Sequence, residues 1–123
     1  MFLVLPAFLV SAMFVSGSIF LDQVKADPII EVSTNGIPPV LNRIAKCESG
    51  GKQFESNGQV VHGKKVRGDL GKYQINIIHW GEEAMRLNLN LLKEEDNEKM
   101  ALYIFENFGT SAWSNSTNCW NKL

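Results

Sequence analysis

Residues 47–51 read Cys47-Glu48-Ser49-Gly50-Gly51, and the fold is decided by how this stretch is read. Upstream of it, Val40, Leu41, Ile44 and Ala45 recur at helical spacing and give one apolar face to a helix starting near Pro38 or Pro39. Gly50-Gly51 ends that helix, so Cys47 and Glu48 fall in its last turn. A helix C-terminus carries partial negative charge and disfavours an ionised carboxylate. Apolar neighbours add desolvation, which favours the same protonated form. Both push the pKa upward, as a general acid working near neutral pH requires. The paired glycines let a bulky polymer approach the backbone closely. A glutamate before a Ser-Gly-Gly stop is also an ordinary helix ending, so this stretch alone leaves the role of Glu48 open.

Downstream the pattern changes. Gln59-Val60-Val61-His62 and Lys65-Val66-Arg67 are short β-prone runs around Gly63-Lys64, which predicts a small hairpin. Asn76 is the expected N-cap of a second helix over 77–88, with Ile77, Trp80, Ala84, Met85 and Leu87 turned inward. A third helix is expected from Asp96 to Phe108, with Met100, Ala101, Ile104, Phe105 and Phe108 as its apolar stripe and Gly109 closing it. The acids Glu94-Glu95-Asp96 favour a helix N-terminus. No internal repeat is present. The expected fold class is α+β, mainly helical: a small domain over 40–123 with a short β-hairpin insertion.

The 123-residue length allows one domain. It opens with an uncharged apolar run, Phe2 to Leu21, that has two readings. One is a secretory signal cleaved after Val24-Lys25-Ala26, which leaves 97 residues from Asp27. The other is a retained membrane anchor, since about 20 apolar residues span a bilayer. Pro6, Ser11, Ser16, Gly17 and Ser18 make the run less apolar than an anchor and favour cleavage. Under either reading, residues 1–26 carry the rest of the chain out of the cytoplasm, and 27–39 is a spacer holding Pro28, Gly36, Pro38 and Pro39. In an exported chain the two cysteines, Cys47 and Cys119, are expected to pair. The rival, a metal site completed by His62 or His79, lacks zinc spacing. Otherwise the two histidines read as surface or helix-capping residues. A net charge of −1 gives no support to nucleic-acid binding. Lys52, Lys64, Lys65, Arg67 and Lys72 cluster, however, and read either as a basic edge for an anionic polymer or as a solvated surface.

A second constellation, Asp69-Leu70-Gly71-Lys72-Tyr73-Gln74-Ile75-Asn76, leads into the second helix. Gln74 and Asn76 are amides suited to sugar hydroxyl and acetamido groups, while Tyr73 and Trp80 offer faces for pyranose rings. The combination of a helix ending in Cys-Glu-Ser-Gly-Gly, then Gly-x-x-Gln-Ile, then Trp113 and a terminal Cys119 resembles the lysozyme-like superfamily. It is most similar to lytic transglycosylases and resuscitation-promoting factors; in the latter a cysteine beside the catalytic glutamate likewise pairs with one near the C-terminus. The likeness runs from about Val40 to Trp120. It implies that Glu48 is the catalytic acid and that Ser49, Gln74 and Asn76 shape a sugar cleft; from residue type alone Tyr73 is expected to help position the chain, and Trp113 reads equally as core packing or as a face for a sugar ring. The implied partner is the glycan strand of peptidoglycan, cut at its β-1,4 bonds by a monomer without metal or organic cofactor.

Asp69 separates two outcomes. The run Asp-x-Gly-x-x-Gln-Ile-Asn also resembles the segment of chicken-type lysozymes that carries their second carboxylate. Two carboxyls about 5 Å apart support retaining hydrolysis. Lytic transglycosylases lack the partner and use one glutamate as acid and then base; the cysteine pattern leans toward this outcome. Asp69 also reads as a turn-capping residue. Trp120 is expected to pack in the core or cover the disulfide, and Asn115-Ser116-Thr117 fits a glycosylation acceptor pattern. A non-catalytic glycan-binding module is the remaining alternative.

Overall fold

The computed structural model describes residues 36–123; the apolar run 2–21, the cleavage site and the spacer up to residue 35 lie outside the described residues. Pro39 occupies the first turn of α1 (Pro39–Ser49), where its missing N–H and fixed φ suit a helix start. This helix buries Leu41, Ile44 and Ala45. It closes at Gly50, whose φ of 70° is the left-handed conformation that glycine adopts without strain. The Gly50 and Gly51 amides donate back to the carbonyls of Lys46 and Ala45. Next come β1 (Asp69–Leu70) and β2 (Ile75–Asn76), an antiparallel pair in which Asp69 faces Asn76 and Leu70 faces Ile75. They lead into α2 (Ile77–Arg86), α3 (Glu94–Phe108), a 3-10 segment (Ser111–Ser116) and α4 (Thr117–Trp120). The architecture is mainly helical with a two-stranded sheet, as expected from the sequence.

The hairpin is not where the β-prone runs predicted it. Val60 bridges Phe54, His62 bridges Leu70, and Lys65–Arg67 is a turn rather than a strand. That segment has no buried face to present, since Lys64, Lys65, Val66 and Arg67 are all exposed. It is closed instead by hydrogen bonds from Gly63 N to Asp69 O and from Asp69 N to Val66 O.

The expected inward faces of α2 and α3 also need correction. Ala84 of α2 is buried and Trp80 and Leu87 pack against the core as expected, while Ile77 and Met85 are exposed. On α3, Met100, Ala101 and Ile104 join the core as expected, together with Leu102 and Asn97. Phe108 leaves the core and is 52% exposed, its ring tilted against Trp80 at 5.3 Å.

Two strands of two residues cannot hold themselves together. The turn between them is fastened from outside. Gln53 accepts from Lys72 N and donates to Leu91 O. Asn97, fully buried, accepts from Tyr73 N and donates to Leu70 O and Leu91 O. Ser49 Oγ donates to Lys72 O at 2.7 Å, and Trp113 Nε1 donates to Tyr73 O at 2.9 Å. Gly71 is required here: a Cβ on it would lie 2.4 Å from Gln53 Oε1 and 2.7 Å from Asn97 Nδ2.

Cys47 and Cys119 form a disulfide, with Cα atoms 6.0 Å apart and a sequence separation of 72, joining α1 to α4. Among the described residues no helix is long and apolar enough to cross a membrane. The disulfide is compatible with an extracytoplasmic location.

Two stability predictions follow from this packing. Asn97→Ala leaves the buried Tyr73 amide without a protein partner and removes the bonds to the Leu70 and Leu91 carbonyls, and should lower the unfolding free energy by about 3 kcal/mol in urea titrations. Replacing both cysteines with serine should remove about 4 kcal/mol by releasing the long loop in the unfolded state. For a domain of this size that is a fall in Tm of roughly 20 °C, measurable by circular dichroism.

Candidate active site

The end of α1, the hairpin, the start of α2, the end of α3 and the 3-10 segment enclose a cleft of about 1180 Å³. Glu48 lies on its wall, half-buried, and its pKa is raised from the ordinary carboxylate value. Burial is the largest cause; a hydrogen bond from Ser116 opposes it, and the negative charge of Asp69 adds to it. The expected direction therefore holds, with desolvation leading.

Ser116 was not singled out in the sequence except as part of a glycosylation pattern. Its hydroxyl lies 2.5 Å from Glu48 Oε1 and 3.1 Å from the Trp113 carbonyl. A hydroxyl has one proton and two acceptor sites. With Glu48 ionised, Ser116 donates to it; with Glu48 protonated, the carboxyl donates to Ser116 and the hydroxyl proton turns to Trp113 O. Both protonation states of Glu48 thus have a partner, which is what a group cycling between acid and base needs. The disulfide holds this contact in register, since Cys47 precedes Glu48 and Cys119 lies three residues beyond Ser116.

Asp69 lines the same cleft, close enough for its charge to act on Glu48. It is a strand residue, not a turn cap, and its Oδ1 accepts from Asn76 Nδ2 at 2.7 Å directly across the two-stranded pair. Asn76 Oδ1 in turn accepts from the amides of Ile78 and His79, capping α2. One asparagine thereby fixes both the second carboxylate and the start of a helix.

The other residues assigned to substrate contact divide. Gln74 lines the cleft with its Nε2 donating to the carbonyls of Gly71 and Val61, in a positive-φ conformation of 50°. Ser49 also lines it, but its hydroxyl donates to Lys72 O and accepts from Lys52 N, so it shapes the wall from behind. Trp113 reaches the cleft while only 4% exposed. Tyr73 is a correction: its side chain is fully buried in the core and is not part of the cleft lining, so its ring cannot stack on a sugar. The residue's aromatic bulk went to filling the space under the hairpin. Burial pushes its hydroxyl up to about 12, and that hydroxyl has no hydrogen-bond partner.

The aromatic faces on the cleft come from Trp80 and Phe108, and His62 and His79 also line it. The histidines are exposed, as expected for surface residues; His79 sits in the first turn of α2. Among the described residues no three His, Cys, Asp or Glu side chains gather to hold a metal ion. No protein-family model, curated protein or solved structure matches the chain. The site itself offers a half-buried carboxyl of raised pKa, a second carboxylate on the hairpin and an open cleft with aromatic faces.

The opposing influences on Glu48 make a signed prediction. Ser116→Ala removes a donor that stabilises the carboxylate, so the Glu48 pKa should rise further. Asp69→Asn removes a neighbouring negative charge, so it should fall. Carbon-detected NMR titration of the Glu48 carboxyl reads both; shifts of the same sign in the two variants would refute this arrangement.

Proposed function

We propose that the protein cleaves the β-1,4 bond between N-acetylmuramic acid and N-acetylglucosamine in peptidoglycan, with Glu48 as the general acid. The observation that carries this reading is a half-buried carboxyl of raised pKa on the wall of a cleft large enough for several sugar rings. The resemblance of Cys47–Gly51 and of the Gly71-to-Ile75 segment to lytic transglycosylases supplies the choice of bond and polymer.

In the reaction, Glu48 donates its proton to the bridging oxygen as the C1–O bond breaks and positive charge builds on the muramyl ring. The leaving sugar departs as an alcohol. Glu48, now ionised and held by Ser116, takes the proton of the muramyl C6 hydroxyl. That oxygen closes on C1, giving a 1,6-anhydro end and returning Glu48 to its protonated form. Activity depends on the protonated carboxyl, so it should fall as pH rises through the raised pKa of Glu48.

A second reading is favoured by one specific observation, the Asp69 carboxylate fixed by Asn76 on the same cleft. In that reading Asp69 stabilises or attacks C1 on the opposite face, and water completes a retaining hydrolysis. The ends of the released fragments separate the two: anhydro ends mean transglycosylation, reducing ends mean hydrolysis.

Glu48→Gln keeps the size of the side chain and can keep an acceptor for Ser116, but has no proton of suitable acidity. It should lower the rate of turbidity loss of purified cell walls by at least about 100-fold. The disulfide and the thermal transition should remain. Lytic activity retained in that variant would remove Glu48 from the chemistry.

A further inference from the structure

The cleft lining is of two kinds. Trp80 and Phe108 present an aromatic pair. The turn from Gly63 to Val66 brings Lys64 and Lys65 to the cleft, and Lys52 joins them from the segment after α1. Among the described residues the ion pairs engage Lys72, Arg86 and Lys99, so none of these three cleft lysines has a carboxylate partner.

The lysine-bearing turn is built onto the site rather than loosely hung beside it. Gly63 N donates to Asp69 O at 2.9 Å, Asp69 N donates to Val66 O at 3.0 Å, and His62 Nδ1 lies 2.9 Å from Arg67 O. A Cβ on Gly63 would lie 2.1 Å from Val66 O, so only glycine permits this closure. The backbone that carries Lys64 and Lys65 is thus tied at both ends to the residue bearing the second carboxylate.

With Glu48 ionised, the three carboxylates of Glu48, Asp69 and Glu55 balance the three cleft lysines. With Glu48 protonated, the three ammonium groups outnumber the two remaining carboxylates and the cleft lining favours an anionic polymer. We propose that Lys64 and Lys65 read charge on the substrate: they bind carboxylate groups projecting from the glycan strand and select an acidic strand over a neutral one. This rests on the glycan-cleaving reading and adds the substituent that the cleft recognises. The rings lie toward Trp80 and Phe108 while their acidic substituents meet the lysine turn.

The test reads binding in the inert Glu48→Gln protein, so it does not depend on cleavage. The probes are soluble peptidoglycan fragments with free peptide carboxylates and the same fragments with those carboxylates converted to carboxamides. At low salt the free-carboxylate fragments should bind about tenfold more tightly, in line with two exposed charge pairs. Adding Lys64→Gln and Lys65→Gln, with the thermal transition checked, should bring the two affinities together. Fragments stripped of peptide expose the ring's own acid group, which is an amide in both peptide-bearing probes: tight binding kept means that the turn reads this carboxylate as well, and binding reduced to the carboxamide level means that it reads the peptide carboxylates alone. Equal affinity for both probes, binding to neither, or a preference that survives the double substitution would overturn the proposal. Failure of the native protein to release fragments from cell walls would instead remove the cleavage reading, leaving a charge preference measured here intact.

Discussion

The structure depends on one turn whose main chain is satisfied by side chains from elsewhere. The amide and carbonyl of Lys72 bond to Gln53 and Ser49; those of Tyr73 bond to Asn97 and Trp113. These four side chains come from four separate parts of the chain: the end of α1, the segment after it, α3 and the 3-10 segment. Buried main-chain groups left unpaired are costly, so the turn has a stable position only when all of these parts are in place. The position of Asp69 and Asn76, at the two ends of the hairpin, follows from it. So does the separation of the second carboxylate from Glu48, because Ser49 ties the end of α1 to the same turn.

The electrostatics of Glu48 rest on a second tie, between α1 and the C-terminal segment. The disulfide joins Cys47 to Cys119, and inside that link Ser116 meets Glu48. Trp120 buries its ring nearby and donates to the Trp113 carbonyl that Ser116 also contacts, while Arg43 of α1 donates to the Trp120 carbonyl. A half-buried carboxyl of raised pKa is unfavourable to the fold when ionised. The covalent link keeps the segments around it from separating to hydrate it. The small size of the domain makes such a link the more necessary.

What was legible in the sequence was local. Helix α1 and its glycine stop, the Asn76 cap, the stripe of α3 through Ile104 and the pairing of two cysteines each follow from neighbours a few residues apart or from simple counting. The hairpin was misplaced because β-propensity at Val60, Val61 and Val66 describes a half-buried surface, and Val66 has none to pack on. The type and neighbours of Tyr73 suit a binding face; only the tertiary fold tells that its ring points into the core. The fastening amides, Gln53 and Asn97, carried no sequence signal at all, since an amide's partners are set by segments distant in the chain. Ser116 was hidden for the same reason: its partner lies 68 positions away.

These limits bear on how such a small domain makes a cleft. A sheet of two short strands offers neither a rigid edge nor a second layer, so its residues cannot be positioned by strand pairing alone. The helices supply the rigidity, and side-chain hydrogen bonds transmit it to the hairpin. A site built in this way keeps its chemistry on short irregular stretches, which tolerate close approach by a polymer, while its geometry is set by α1 and α3. The asymmetry of the cleft is then a consequence of construction. The aromatic lining comes from the first turn of α2 and the last turn of α3, and grades into the core through Ile104 and Trp113. The 63–66 turn is exposed at Lys64, Lys65 and Val66, which leaves its side chains free to be cationic.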